Sequence, residues 1–134
     1  MRFLFLVFLF FFQNVSSQNE YEIIGKSNDM MLEREFNIFS LIYKDAETNQ
    51  FKSLNFTGEE KKILYKFLLK ALIEKPQNGF MLQFEYNTLL ILFNSTTVEI
   101  LTYIKHNPDI IRKTPPMTEI DILNLFGKYD AIRI

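Results

Sequence analysis

Between residues 80 and 105, FMLQFEYNTLLILFNSTTVEILTYIK, three apolar runs are separated by two short polar breaks, Asn87-Thr88 and Asn94 to Thr97. The runs are rich in Phe, Leu, Ile, Val, Thr and Tyr, which suit a pleated, half-buried surface, and the breaks carry turn residues. The pattern predicts an antiparallel three-strand meander. With Asn87-Thr88 and Ser95-Thr96 as two-residue turns, one face stacks Leu82, Phe93 and Val98, then Phe84, Ile91 and Ile100, then Tyr86, Leu89 and Thr102. That is a core face. The opposite face carries Gln83, Glu85, Leu90, Leu92, Glu99, Leu101 and Tyr103, a mixture that is neither clean core nor clean solvent surface.

Upstream, Glu20 to Lys26 alternates and reads as a first strand, Ser27 to Arg34 as a loop, Phe36 to Lys44 as a second strand, and Gln50 to Phe56 as a third that closes a hairpin. Thr57-Gly58-Glu59-Glu60 has the spacing of a capping box, in which Thr57 accepts from the Glu60 amide and the Glu60 carboxylate from the Thr57 amide. A helix over Glu59 to Lys75 follows. Ile63, Leu64, Phe67, Leu68, Ala71 and Leu72 form its apolar stripe, and Pro76, Asn78 and Gly79 stop it. After the meander, His106-Asn107-Pro108-Asp109 breaks the last strand, Ile110-Ile111 packs back on the core, and Thr118 with Asp121 opens a short helix that Gly127 ends. Tyr129 to Ile134 is an apolar tail suited to one more strand. The expected fold is α+β: an antiparallel sheet of five to seven strands, one long helix packed on one face, and a short C-terminal helix.

The N-terminus changes the setting. Arg2 precedes a ten-residue apolar run, Phe3 to Phe12, and Val15-Ser16-Ser17 places small residues ahead of Gln18. This is the pattern of a secretory signal peptide over residues 1–17, since a membrane span needs about 20 apolar residues. The expectation is a secreted or periplasmic protein with no stable membrane span once the signal is removed. Taking 17 residues from 134 leaves 117, the size of one α+β domain over 18–134. It contains no cysteine, so an exported chain of this kind leans toward a bacterial envelope over a disulfide-stapled animal secretion.

Charge and chemistry then narrow the function by subtraction. Removing Arg2 from 15 basic residues leaves 14 against 16 acidic ones, a formal charge of −2, and the lysines at 61, 62, 66, 70 and 75 read as a solvated helix face. Nucleic acid is therefore not an expected partner. No thiolate, no paired-histidine zinc helix, no nucleophile elbow and no glycine-rich phosphate loop is present, so neither a metal nor a cofactor is expected. Two glycosylation sequons, at Asn55 and Asn94, read as coincidental. No residue motif identifies a family. The preferred reading is an exported non-enzymatic interaction module, such as an inhibitor, an immunity-like protein or an accessory subunit. Its protein partner would meet Gln83, Glu85, Leu90, Leu92, Glu99, Leu101 and Tyr103. The alternative is a small hydrolase or isomerase using Glu85, Glu99 or His106 in a pocket between helix and sheet.

Overall fold

The computed structural model describes residues 21–104 and 107–127. The expected signal peptide, His106 and the 129–134 tail lie outside them. The described residues run through four strands and a helix, twice. Strands β1 (Tyr21–Ser27), β2 (Met30–Glu35), β3 (Ile38–Lys44) and β4 (Phe51–Thr57) form one antiparallel sheet in that order, and helix α1 (Gly58–Glu74) follows. Strands β5 (Phe80–Gln83), β6 (Asn87–Asn94), β7 (Thr97–Ile104) and β8 (Asn107–Lys113) form a second meander, followed by helix α2 (Glu119–Phe126). The α+β class holds, but the expected single sheet of five to seven strands is replaced by two sheets of four. The helix between β4 and β5 separates the meanders, and those two strands do not pair.

Each sheet turns its alternate residues inward. Met30, Leu32, Leu41, Tyr43, Leu54 and Phe56 from the first sheet meet Leu89, Ile91, Val98 and Ile100 from the second in one buried cluster. The helices fill the space with Leu64, Tyr65, Leu68 and Ala71 from α1 and Ile122, Leu125 and Phe126 from α2; the Tyr65 and Phe126 rings stack at 5.3 Å between centroids. Ile63, placed in the core stripe from its spacing, lies at the exposed margin of α1, while Tyr65 takes a buried place instead.

Both helix starts follow from local chemistry. In α1 the Glu60 amide donates to Thr57 Oγ1 at 3.2 Å and the Thr57 amide to Glu60 Oε1 at 2.9 Å, completing the capping box. The other carboxylate oxygen of Glu60 accepts from the Glu85 amide at 2.8 Å and so holds the β5–β6 turn against the helix start. The helix ends on Lys75, whose left-handed backbone (φ 52°) lets its amide reach the Ala71 carbonyl. In α2, Thr118 and Asp121 form the second box.

Two segments expected as loop are strands. Residues 30–35 form β2, with Met30 and Leu32 inward and Met31 and Glu33 outward; the consecutive apolar residues Met30-Met31-Leu32 blur a period of two. Residues 107–113 form β8, where Pro108 sits in a strand with one unpaired edge, the place a sheet tolerates it. The β6–β7 register is as expected, with Phe93 opposite Val98 and Ile91 opposite Ile100. The β5–β6 register is displaced. The turn lies at residues 84–86, closed by the Phe84 amide on the Asn87 carbonyl at 2.8 Å, so that Leu82 faces Leu89 and not Phe93. A displacement of four residues is even, and the strand keeps its faces.

Candidate docking face on the second sheet

Period-two alternation in β5 to β8 builds an outer face directly opposite the core. Met81, Leu90, Leu101 and Lys113 stand in one row across the four strands, and Gln83, Thr88, Tyr103 and Ile111 in the next. Leu92 and Glu99 form a third, shorter row. The leucines and Tyr103 shield one another to half-burial, whereas Met81 is 64% and Ile111 49% exposed at the two flanks. Both helices pack on the inner side, and none of the described elements lies over this face. Its rim is charged: Lys113 Nζ lies 3.6 Å from Glu99 Oε2.

Six of the seven residues expected to form a contact patch are brought together here, namely Gln83, Leu90, Leu92, Glu99, Leu101 and Tyr103. Glu85 is not among them. It falls in the β5–β6 turn, exposed at the end of the sheet, because the turn comes earlier than Asn87-Thr88. Met81, Ile111 and Lys113 belong to the face but were not expected there. Met81 shares the parity of Gln83, so the alternation already contained that signal; Ile111 and Lys113 depended on recognising β8.

The carboxylates of the enzymatic alternative are separated. Asn87 pairs with Ile104 and Leu92 with Glu99, so five residues of strand, about 17 Å, lie between the turn that carries Glu85 and the level of Glu99. That exceeds the roughly 5 to 9.5 Å spacing of glycosidase carboxyl pairs. Among the described residues no group of three or more His, Cys, Asp or Glu side chains could hold a metal ion, and no helix is long and apolar enough to cross a membrane.

The inner side holds the chain's other polar chemistry. Tyr43 on β3 is fully buried, and burial pushes its hydroxyl up to about 12, with Arg112 on β8 and Thr102 on β7 pulling in the opposite direction. Tyr43 Oη, Thr102 Oγ1 and Arg112 Nε all lack a well-formed hydrogen bond. Asp45, in the β3–β4 turn, accepts from the Lys113 amide (2.8 Å), the Thr48 amide (2.8 Å), Thr48 Oγ1 (3.0 Å) and the Glu47 amide (3.2 Å). Burial pushes its carboxyl upward, but these donors together outweigh burial and hold it below the usual carboxylate range. Asp121 at the start of α2 behaves alike: burial is outweighed by Ser27 Oγ at 2.6 Å and by the Thr118 amide and hydroxyl. These carboxylates are engaged in holding turns and a helix start.

Comparison with known proteins adds no relative: no family model, no curated protein and no solved structure matches the chain.

Proposed function

We propose that this chain is an exported, non-enzymatic interaction module, of the kind that serves as an inhibitor, an immunity-like protein or an accessory subunit, and that its protein partner docks on the outer face of the second sheet. The observation that supports this reading is the face itself. Its centre is Leu90, Leu92, Leu101 and Tyr103 on the two middle strands, flanked by Met81 and Ile111, and its edge carries the Glu99–Lys113 pair. An apolar centre inside a polar rim is the usual anatomy of a protein interface.

The test replaces Leu92 and Leu101 with Asp. Both side chains point away from the core, so the double variant should keep a wild-type circular dichroism spectrum, with a lower melting temperature because both leucines are half-buried and Leu92 lies opposite Glu99. Capture from the cognate cell envelope should lose its partner in the variant. Equal capture by wild type and folded variant removes this face from the proposal. Export is tested separately by mass spectrometry of the isolated protein, with a start at or near Gln18 as the expected result and a retained Met1 as the result against it.

A further inference from the structure

The outer face of the first sheet carries a different chemistry from that of the second. Cross-strand pairing sets Ile23, Glu33, Ser40 and Asn55 in one row, and Tyr21, Glu35 and Ile38 in the next. Glu33, Glu35, Ser40, Asn55 and Ile38 line a depression of about 310 Å³ that Phe36, in the β2–β3 turn, closes at one end. That volume lies at the lower end of the range of ligand sites. Ser40 Oγ donates to Asn55 Oδ1 at 2.7 Å, which leaves the Asn55 Nδ2 group to donate elsewhere. Tyr21 Oη donates to Glu33 Oε2 at 2.6 Å, which leaves Oε1 to accept. Among the described residues neither Glu33 nor Glu35 is paired with a basic side chain.

Phe36 is the first residue of a two-residue turn, at φ +57°, where glycine is the ordinary occupant. Its ring is 58% exposed, so packing does not repay the backbone for holding it there. A backbone outlier of this kind points to a role outside the fold. Arg34, Lys61 and Lys62 line a neighbouring depression that shares Phe36, while Glu33 and Glu35 stand on this side. Charges of both signs therefore surround the ring, and no net field selects an ion. The site offers instead an aromatic face beside planar polar groups. A carboxylate or a side-chain amide presents two coplanar polar atoms, which match two adjacent hydroxyls, and hydroxyls satisfy donors and acceptors alike. The negative face of an aromatic ring attracts the C–H face of a pyranose. A neutral sugar meets both requirements, whereas an acidic one would set its own carboxylate against Glu33 and Glu35.

We propose that this depression is a carbohydrate-binding site for a neutral pyranose unit, with the Phe36 ring stacked on the C–H face of the sugar and Glu33, Glu35, Ser40 and Asn55 bonded to its hydroxyls. The site lies on the first sheet and is independent of the docking face on the second.

Amide NMR titration of the full chain with soluble oligomers of glucose, N-acetylglucosamine and mannose tests the proposal, with polygalacturonate as the acidic control. The expected result is that a neutral oligomer shifts amides within residues 33–40 and 53–57, with an affinity that salt does not change, and that polygalacturonate leaves them in place. Phe36→Gly should lower the affinity about tenfold while the melting temperature stays unchanged or rises, because the substitution relieves the backbone. Phe36→Tyr, which keeps the ring, should retain the affinity. Glu33→Gln should lower it about tenfold by removing a charge-assisted hydrogen bond. The proposal is overturned if none of the three neutral oligomers shifts these segments, if polygalacturonate binds in their place, or if binding survives both Phe36→Gly and Glu33→Gln.

Discussion

At the scale of single residues, Gly25 is the most closely approached of the four glycines. A Cβ there would come within 2.0 Å of the Asn124 carbonyl oxygen and 2.4 Å of that of Leu125, so the last turn of α2 rests directly on the backbone of β1. The register shift between Ile23 and Gly25 places this bare position under the helix. Gly25→Ala must lift α2 away from the sheet and should cost at least about 2 kcal/mol, read as a lower urea midpoint with an unchanged slope. Tyr43 makes the opposite case. Its hydroxyl is buried without a well-formed hydrogen bond, so Tyr43→Phe should stay within about 1 kcal/mol of wild type near neutrality. Above pH 10 the two should diverge. Unfolded tyrosine ionises from 10 upward while the folded residue keeps its proton to about 12, so the wild-type protein loses stability through that window, by about 2 to 3 kcal/mol in all. The phenylalanine variant lacks this limb of the curve, and denaturation midpoints on either side of pH 10 would show it.

Whole elements differ in how openly the sequence announces them. Both helices were legible to within a residue or so, because Thr57 with Glu60 and Thr118 with Asp121 act within four residues of chain and need no knowledge of the fold. The β6–β7 pair was legible in register because alternation and the Asn94 to Thr97 break agree. Strand β2 was hidden by three apolar residues in succession, and β8 by the proline that only an edge strand admits. The division into two sheets depends on which strands pair across the chain, and no local pattern carries that information. The outer face of the second sheet was largely legible since parity survives an even slip of register, whereas Phe36 was assigned to a strand and its exposed turn position follows only from the two-residue link to β3. One element-level consequence can be measured at Glu60, which serves the cap with one oxygen and the Glu85 amide with the other. Glu60→Ala should cost about 1 to 2 kcal/mol and increase amide exchange both in the first turn of α1 and in the β5–β6 turn. Faster exchange confined to the helix would mean that the link to Glu85 contributes nothing.

Across the whole molecule, two carboxylates join parts that are distant in sequence. Asp45 connects the β3–β4 turn of the first sheet to the Lys113 amide at the end of β8, and the Ala46 amide adds a bond to the Lys113 carbonyl at 3.1 Å. Asp121 connects the start of α2 to the β1–β2 turn through Ser27 Oγ at 2.6 Å and Asn28 Nδ2 at 3.0 Å. Each carboxyl is held below its ordinary value of 3.8 by donors that exist only in the folded state. The sign follows: the unfolded chain takes up these protons first, so the stabilisation is present above 3.8 and is lost as pH falls through the folded values. Acid should therefore loosen the molecule at the join between the sheets and at the seat of α2. Asp45→Asn with Asp121→Asn should be less stable than wild type near neutrality, because neutral amides accept these bonds more weakly. Its urea midpoint should also fall less steeply as pH drops below 3.8. Parallel acid limbs in wild type and double variant would show that other carboxylates govern the acid response, and that the two aspartates hold the halves together by geometry without coupling them to pH.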